Sequence, residues 1–231
     1  MKLALSQNLT SKVSEEFDTA THSNIKAFYK FKSLGGADIS QVANWTDQTG
    51  NFDMLQATDS EKPQYTASTG AVGFDGANES LQTASDISLA SQFTIGVRMN
   101  ITGSINNDVI LADNTTTGHF IRIKDSDTIT VRIAGSTAQD FDLNSGTIQD
   151  ATNFNLIVSR NDDGLIKTFF NGTEQADTNT RTGTFLIDAI GVRKTDANDL
   201  EGSIFEVQIY DGVSFSTAGF ITKVNNRLAS L

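Results

Sequence analysis

Apolar and polar residues alternate along the middle of the chain, from about residue 64 to residue 211. Phe93, Ile95, Val97, Met99 and Ile101 are each separated by one residue. Successive side chains of a β-strand point to opposite faces, so this period of two predicts a strand with one buried face. Similar alternating or short apolar runs predict strands over 71–75, 108–112, 121–123, 129–133, 138–143, 154–159, 165–170, 185–193 and 204–210.

Turn-forming residues separate these runs at short intervals. Asn171-Gly172 follows one run, and an Asn-Gly pair readily adopts the positive φ angles of a tight hairpin. The chain contains 18 Gly but only one Pro, Pro63, and proline would remove a donor from a strand ladder. About a dozen short strands with turns roughly every 8–12 residues predict an all-β sandwich or jelly roll.

The N-terminal segment has a different period. Leu9, Val13 and Phe17 recur every four residues, which predicts a short amphipathic helix over 9–18. The segment lies outside the strand pattern, so it is also expected to form an arm that orders on a partner. We divide the chain into an N-terminal arm or short helix, 1–22, and one sandwich domain, 23–231.

A second helix is predicted at the C-terminus. Its apolar side chains recur at helical spacing, and they are Phe220, Ile221, Val224 and Leu228. Ser216 precedes them and is the predicted N-cap, because a serine hydroxyl can accept a hydrogen bond from the first free backbone N–H groups. We expect this helix to pack onto the rim of the sandwich.

Composition excludes several functions. The chain carries 17 Lys and Arg against 28 Asp and Glu, a net charge of −11, which disfavours binding to the phosphate backbone of a nucleic acid. It has no cysteine, so disulfides, thiol nucleophiles and zinc–thiolate sites are excluded. His22 and His119 are too few for a three-histidine metal site. No apolar run approaches the roughly 20 residues that span a bilayer.

The N-terminus also lacks the apolar core of a secretion signal. The sequence becomes polar from Ser6 onward, after only three apolar residues beyond Lys2. We therefore expect the protein to be made and kept in a cytoplasm, or to be assembled there into a larger particle.

Several motifs occur in an order that resembles one known family. They are Trp45-Thr46-Asp47-Gln48-Thr49-Gly50-Asn51, Pro63-Gln64-Tyr65, Val72-Gly73-Phe74-Asp75-Gly76, Phe169-Phe170-Asn171-Gly172-Thr173-Glu174, Ile190-Gly191-Val192-Arg193 and the run 200–211. Together they resemble the concanavalin A-like lectin/glucanase superfamily, of the laminin-G and pentraxin kind, and most of all the versions encoded by phages and other viruses. The resemblance covers about residues 25–231. It implies an all-β, concanavalin A-like jelly-roll β-sandwich with a short C-terminal helix and an N-terminal arm.

The resemblance raises the question of glycoside hydrolysis. Glucanases of this superfamily carry a Glu-x-Asp-x-x-Glu strand that places a nucleophile and a general acid on one face. The nearest string here starts at Glu16 and has Thr21 in place of the second Glu, and it precedes the sandwich. No Gly-x-Ser-x-Gly elbow accompanies either histidine. We expect no enzymatic activity, although two Asp residues could still be paired by folding.

The resemblance also implies two kinds of ligand. Calcium is bound in many relatives by loop carboxylates, and it takes six to eight oxygen ligands. Of three acidic clusters, at 125–127, 140–142 and 196–199, the last gives the metal candidates Asp196, Asn198 and Asp199. The alternative is that each cluster is a polar turn. Sugars are bound on aromatic platforms, and Trp45 is the candidate, with packing beneath its loop as the alternative.

Two functions follow, in order of preference. The first is a non-enzymatic structural protein of a virus particle, in particular a phage capsid decoration or other surface accessory protein. Its partners would be the major capsid or tail protein, with 1–22 as the anchor and a homo-oligomer as one way of covering edge strands. The alternative is a carbohydrate-binding module that recognises host-surface glycans. A glycoside hydrolase ranks last.

Overall fold

Two antiparallel β-sheets make up most of the chain in this computed structural model, which describes residues 17–35, 37, 40–193 and 198–231. The strands are β1 (Ile25–Tyr29), β2 (Ser40–Gln41), β3 (Asn44–Trp45), β4 (Met54–Leu55), β5 (Gln64–Thr66), β6 (Ala71–Asp75), β7 (Leu81–Leu89), β8 (Phe93–Ile101), β9 (Asp108–Ala112), β10 (Phe120–Asp125), β11 (Thr128–Arg132), β12 (Gln139–Asp142), β13 (Phe154–Arg160), β14 (Leu165–Phe170), β15 (Thr173–Thr180), β16 (Phe185–Ile190) and β17 (Glu201–Asp211). Short 3-10 helices occupy Thr19–Thr21 and Asp59–Glu61, and the α-helix α1 spans Phe220–Ala229.

The strand order confirms the predicted jelly-roll sandwich. One sheet has the order β15-β14-β13-β8-β17-β6-β5-β2, with β1 also paired to β17. The other has the order β12-β11-β10-β9-β16-β7-β4-β3. The chain therefore crosses repeatedly between the two sheets. No helix among the described residues is long and apolar enough to cross a membrane.

The core fills the space between the inner faces of the two sheets. The five apolar residues of β8 that alternate in the sequence are all at most 2% exposed, as predicted. Phe93 of β8 meets Phe185 of β16 across the sandwich, with ring centroids 5.6 Å apart. The prediction of a single buried face is wrong for this strand, because two residues on its other face are also buried: Gly96 lies beneath α1, and the Thr94 hydroxyl donates to the Val213 carbonyl.

Helix α1 packs onto the outer face of the first sheet. Phe220, Val224 and Leu228 are buried there against Ile157 and its neighbours, as their spacing predicted. The predicted cap is wrong: the N-cap is Gly219, with φ of 70°, and not Ser216. A turn precedes the helix, in which the Phe220 N–H donates to the Thr217 carbonyl (3.1 Å), so the helix begins four residues after the serine.

The described part of the predicted arm packs on the sandwich. Asp18 caps the short 3-10 helix by accepting from the Ala20 N–H (3.0 Å). The rings of Phe17 and His22 join those of Tyr210 and Phe220, with centroids 5.0–6.3 Å apart. Residues 1–16, including most of the predicted helix 9–18, lie outside the described residues.

Polar contacts join two edge strands across the sandwich. The Asp142 N–H at the end of β12 donates to Asp177 Oδ2 of β15 (2.8 Å). The Asn179 amide of β15 donates to Gln139 Oε1 of β12 (2.6 Å). The loop 143–153 that leaves β12 is held at one end of the sandwich, where the Ile148 N–H donates to the Ser126 carbonyl (2.7 Å) and the Ala151 N–H donates to the Ile101 carbonyl (2.7 Å).

Candidate functional site

A groove of about 400 Å³ opens at that end of the sandwich. It lies between the loop that joins β12 to β13 and the hairpin that follows β14. Residues 145–149 and 152–154 line it together with Phe170 and Asn171. We call it the end groove.

The floor of the end groove is apolar and aromatic. Ile148, Phe154 and Phe170 are each at most 5% exposed, and the two rings lie 5.5 Å apart. Gly146 rests against Phe170, since a Cβ at this position would lie 3.3 Å from the Phe170 Cε1 atom. The absence of a side chain at 146 therefore leaves room above the edge of the ring.

The rim of the end groove carries hydroxyl and amide groups that the fold holds in place. Asn153 Oδ1 accepts from the Asn100 amide (2.9 Å). Asn171 Oδ1 accepts from a backbone N–H of β13 (2.9 Å). The Ser145 hydroxyl accepts from the Gln175 amide (2.7 Å). None of the described residues that line the groove is charged.

A larger groove, of about 680 Å³, lies between residues 17–20 and the exposed side of α1. Lys30, Lys223 and Arg227 contribute positive charges to its lining. Arg227 is paired with the fully buried Glu206 at 2.6 Å and so helps to hold α1 on the sheet. Residue 17 lines this larger groove and is the first described residue of the chain. The residues that line the end groove, by contrast, have described residues on both sides of them in the sequence.

Three carboxylates gather on the second sheet, away from both grooves. Asp86 of β7 is exposed, whereas Asp113 after β9 and Asp188 of β16 are buried. One oxygen from each lies within 4.8 Å of the others. This spacing allows three hard oxygen ligands to reach one cation such as calcium.

The environments of the two buried carboxylates differ. Burial raises the pKa of Asp188, and the negative charges of Asp113 and Asp86 raise it further, against a hydrogen bond from the Asn114 N–H. Burial also opposes ionisation of Asp113, but hydrogen bonds from Thr115 and Thr116 hold its pKa below the usual value. Of the two buried carboxylates, Asp113 is therefore the one whose charge the protein stabilises better.

This cluster was not predicted from the sequence. Its signal was an acid within the apolar run Phe185–Ile190, where Asp188 breaks the pattern. Of the predicted metal ligands, Asp196 lies outside the described residues. The Asn198 carbonyl accepts from the Val109 N–H (3.2 Å), and Asp199 Oδ2 accepts from the Asn78 N–H (2.9 Å). These two bonds tie the loop to the sandwich, and its calcium role stays a prediction.

Two other sequence candidates are structural. Trp45 is 2% exposed, packs against Tyr29 with ring centroids 5.8 Å apart, and lines neither of the two grooves, so it belongs to the core. His119 is buried, with 8% of its surface exposed. Its Nδ1 atom accepts from the Ala134 N–H (3.1 Å) and the Leu186 N–H (3.3 Å), and burial lowers its pKa.

Comparisons with known proteins agree with this architecture. A sequence model of the concanavalin A-like lectin/glucanases superfamily matches residues 74–216. No curated protein sequence matches the chain significantly.

Solved structures with a similar fold come from several proteins. Domain 4 of AbnA, an extracellular arabinanase from Geobacillus stearothermophilus, is 18% identical, with a TM-score of 0.61 over 89% of this chain and 98% of that domain. A sialidase from Trypanosoma rangeli is 12% identical (TM-score 0.60), and the alignment covers 90% of this chain but only 32% of the sialidase. A SAP-like pentraxin from Limulus polyphemus is 13% identical (TM-score 0.50), with 60% and 74% covered. With well over half of its length matched by the family's sequence model, the chain belongs to the concanavalin A-like lectin/glucanase superfamily.

Proposed function

We propose that this domain is a non-catalytic, glycan-binding module whose ligand binds in the end groove. The observation that carries the proposal is the groove itself, an aromatic floor beneath a rim of amides and hydroxyls. Sugars present both apolar C–H faces and hydroxyl groups, and small-molecule sites typically combine an apolar lining with a few placed polar groups. The groove has both features on a lectin-like sandwich.

One similar structure supports an oligosaccharide as the ligand class. Domain 4 of the arabinanase was solved in complex with arabinotriose. At 18% identity the similarity is one of fold. The proposal therefore takes only the ligand class from that domain, and it takes the site from this chain's own groove.

The chemistry of the groove supports binding without hydrolysis. Hydrolysis of a glycosidic bond by the usual route needs two carboxyl groups flanking it. The described residues that line the end groove carry no carboxyl and no imidazole group. We expect no release of reducing sugar from a panel of polysaccharides, and turnover above that of a heat-denatured sample would contradict the proposal.

A substitution that fills the groove tests the binding site. Position 146 does not have the positive φ that strains L residues, so Gly146→Val adds a side chain above Phe170 without backbone strain. We expect the wild-type protein to bind members of a glycan array and to melt at a higher temperature with them, because a ligand of the native state raises apparent stability. Gly146→Val should lose both effects. Because its Cβ would lie 3.3 Å from the Phe170 Cε1 atom, the ring has to shift slightly, and circular dichroism at the binding temperature checks that the variant is folded.

Gly35→Val is the matched control, because nothing lies within 4 Å of a Cβ at position 35. It should bind like the wild type. A wild-type protein that binds no glycan on a broad array, or a Gly146→Val variant that binds as well as the control, would overturn the proposal.

A place on the surface of a virus particle stays a prediction. It is compatible with glycan binding, because a sandwich that recognises host glycans can be attached to a capsid or a tail. Quantitative mass spectrometry of gradient-purified particles from the source would test it. A high copy number would favour the capsid surface, a low one the tail, and absence from the particles would contradict the prediction.

A further inference from the structure

We infer that the end groove selects uncharged saccharides, and that Asn153, Asn171 and Ser145 hold them as prepositioned hydrogen-bond donors. The inference rests on the proposed function and adds the ligand class and the atoms that recognise it.

Asn153 shows how a donor is prepared. Its Oδ1 atom accepts from the Asn100 amide at 2.9 Å, across 53 residues of sequence. An amide offers one acceptor oxygen and two N–H donors, so this bond fixes the side chain by its oxygen and leaves the NH₂ group. The Asn153 NH₂ group makes no hydrogen bond to another described residue, and the residue is exposed.

Asn171 and Ser145 are arranged in the same way. Asn171 is fixed by its oxygen on the backbone of β13, which again leaves its NH₂ group. Ser145 Oγ accepts from the Gln175 amide, which leaves the hydroxyl hydrogen. Three anchored groups on one rim therefore offer N–H or O–H donors, and their ordering cost is met on folding rather than on binding. The matching ligand presents acceptors, such as the hydroxyl, ring or N-acetyl oxygens of a sugar.

The lack of charged residues in the described lining of the end groove narrows the class of saccharide that fits it. Charged residues make up 19% of the chain, yet none is among the described residues that line the groove. Asp150 is next to the lining in sequence, but its Oδ1 atom accepts from the Gly103 N–H (2.9 Å) on another loop. An anionic sugar would lose hydration here without gaining a cation, which is unfavourable. An uncharged sugar avoids this penalty.

Asn153→Asp tests the inference with a change of nearly equal shape. The aspartate keeps an oxygen for the Asn100 amide but replaces the NH₂ donor by an acceptor. We expect the dissociation constant for the bound glycans to rise about tenfold or more. The NH₂ donor is lost, and an aspartate oxygen then faces the glycan oxygen that this donor served, so that two acceptors meet. Isothermal titration with the best array ligands measures this.

Asn106→Asp is the matched control. Asn106 is also an exposed asparagine whose Oδ1 accepts from a neighbouring asparagine amide, that of Asn107 at 3.2 Å, but it lies outside the groove. It should change the dissociation constant by less than about twofold, since distant exposed charges are screened by salt. Ser145→Ala removes a second donor without adding charge, and it should weaken binding several-fold.

The outcomes separate this inference from the proposed function. If the wild type binds uncharged glycans with an affinity that is insensitive to salt, and Asn153→Asp weakens binding while Asn106→Asp does not, the inference holds. If the wild type binds glycans but they are acidic, or both Asn variants bind equally well, the inference is wrong and the proposed function stands. If the wild type binds no glycan at all, the proposed function itself fails.

Discussion

At the scale of single residues, Asp188 is the side chain that fits least with its surroundings. It is an acid, 6% exposed, in a strand whose other residues are apolar, and two further carboxylates lie beside it. A buried charge without a cationic partner is costly, and its pKa is raised accordingly. Such a residue is either a local cost to stability or part of a cation site, and the two possibilities make different predictions.

Asp188→Asn should stabilise the metal-free protein at neutral pH. The amide oxygen can still accept from the Asn114 N–H, while the repulsion with Asp113 and Asp86 is removed. One pair of like charges about 4 Å apart costs about 1 kcal/mol in a water-like dielectric, and we expect a gain in the free energy of unfolding of this size. Urea denaturation with a chelator present measures it.

The pH dependence of this gain follows from the sign of the shift. The folded pKa of Asp188 lies above the unfolded value of 3.8, so the folded state binds the proton more tightly. Below about pH 4 Asp188 is protonated in the folded protein, so the wild type carries no charge penalty there. As the pH rises through the folded pKa, Asp188 ionises in the folded state and the wild type loses stability relative to the variant. The variant's gain should appear over that window and then stay constant to pH 7, and a gain that is the same at pH 3 would argue against the charge as its cause.

Calcium distinguishes the cation site from the local cost. If the carboxylates hold the ion, millimolar calcium should raise the melting temperature of the wild type but not of Asp188→Asn. If the loop at 196–199 holds it, as the sequence suggested, Asp199→Asn should lose the response instead. No response in the wild type would mean that both assignments are wrong.

At the scale of elements, the sheet and α1 fit together through one glycine. A Cβ at Gly96 would lie 2.8 Å from the Val224 Cγ1 atom and 3.2 Å from the Leu228 Cδ1 atom. The close approach of the helix therefore depends on the missing side chain in β8. This explains why a glycine stands in a strand that otherwise alternates.

Gly96→Ala should lower the free energy of unfolding by about 1–3 kcal/mol, the usual cost of overpacking. The helix would have to move away from the sheet. Chemical denaturation followed by circular dichroism measures the loss. Gly35→Ala, in open space, is the control, and equal stability of the two variants would contradict this account of the packing.

Strands with a regular apolar period were predictable, and polar strands were not. The predicted runs 71–75, 108–112 and 165–170 match β6, β9 and β14. No prediction covered β15, in which one residue of eight, Ala176, is apolar. It is an edge strand held by its hairpin to β14 and by polar contacts to β12. Its inward face consists of the polar side chains Gln175, Asp177 and Asn179, so the sequence shows no apolar period there.

At the scale of the whole molecule, residues 17–22 of the predicted arm contact the sandwich. Phe17 and His22 complete an aromatic cluster with β17 and α1. A truncation that removes 1–22 should therefore unfold at lower denaturant than one that removes 1–16. We expect a difference below about 3 kcal/mol, the upper value for full burial of one large apolar side chain, since Phe17 is partly buried.

The proposed anchor at 1–22 is affected by the same comparison. If removal of 1–16 alone abolishes attachment to a particle while the domain keeps its stability, the anchor role of the segment is supported. Equal stability of the two truncations would instead mean that 17–22 contribute nothing to the sandwich, against the contacts described above.

The sequence by itself determined the all-β class, most of the strands, the C-terminal helix and the family, because these depend on local periods and on motifs in order. It could not locate the end groove or the acidic cluster. Asn153 is anchored by Asn100, 53 residues away, and Ser145 by Gln175, 30 residues away. Asp86, Asp113 and Asp188 come from three different parts of the chain. Such groups meet only once the order and register of the strands are set, and that is decided by packing between sheets, not by the pattern within any one strand.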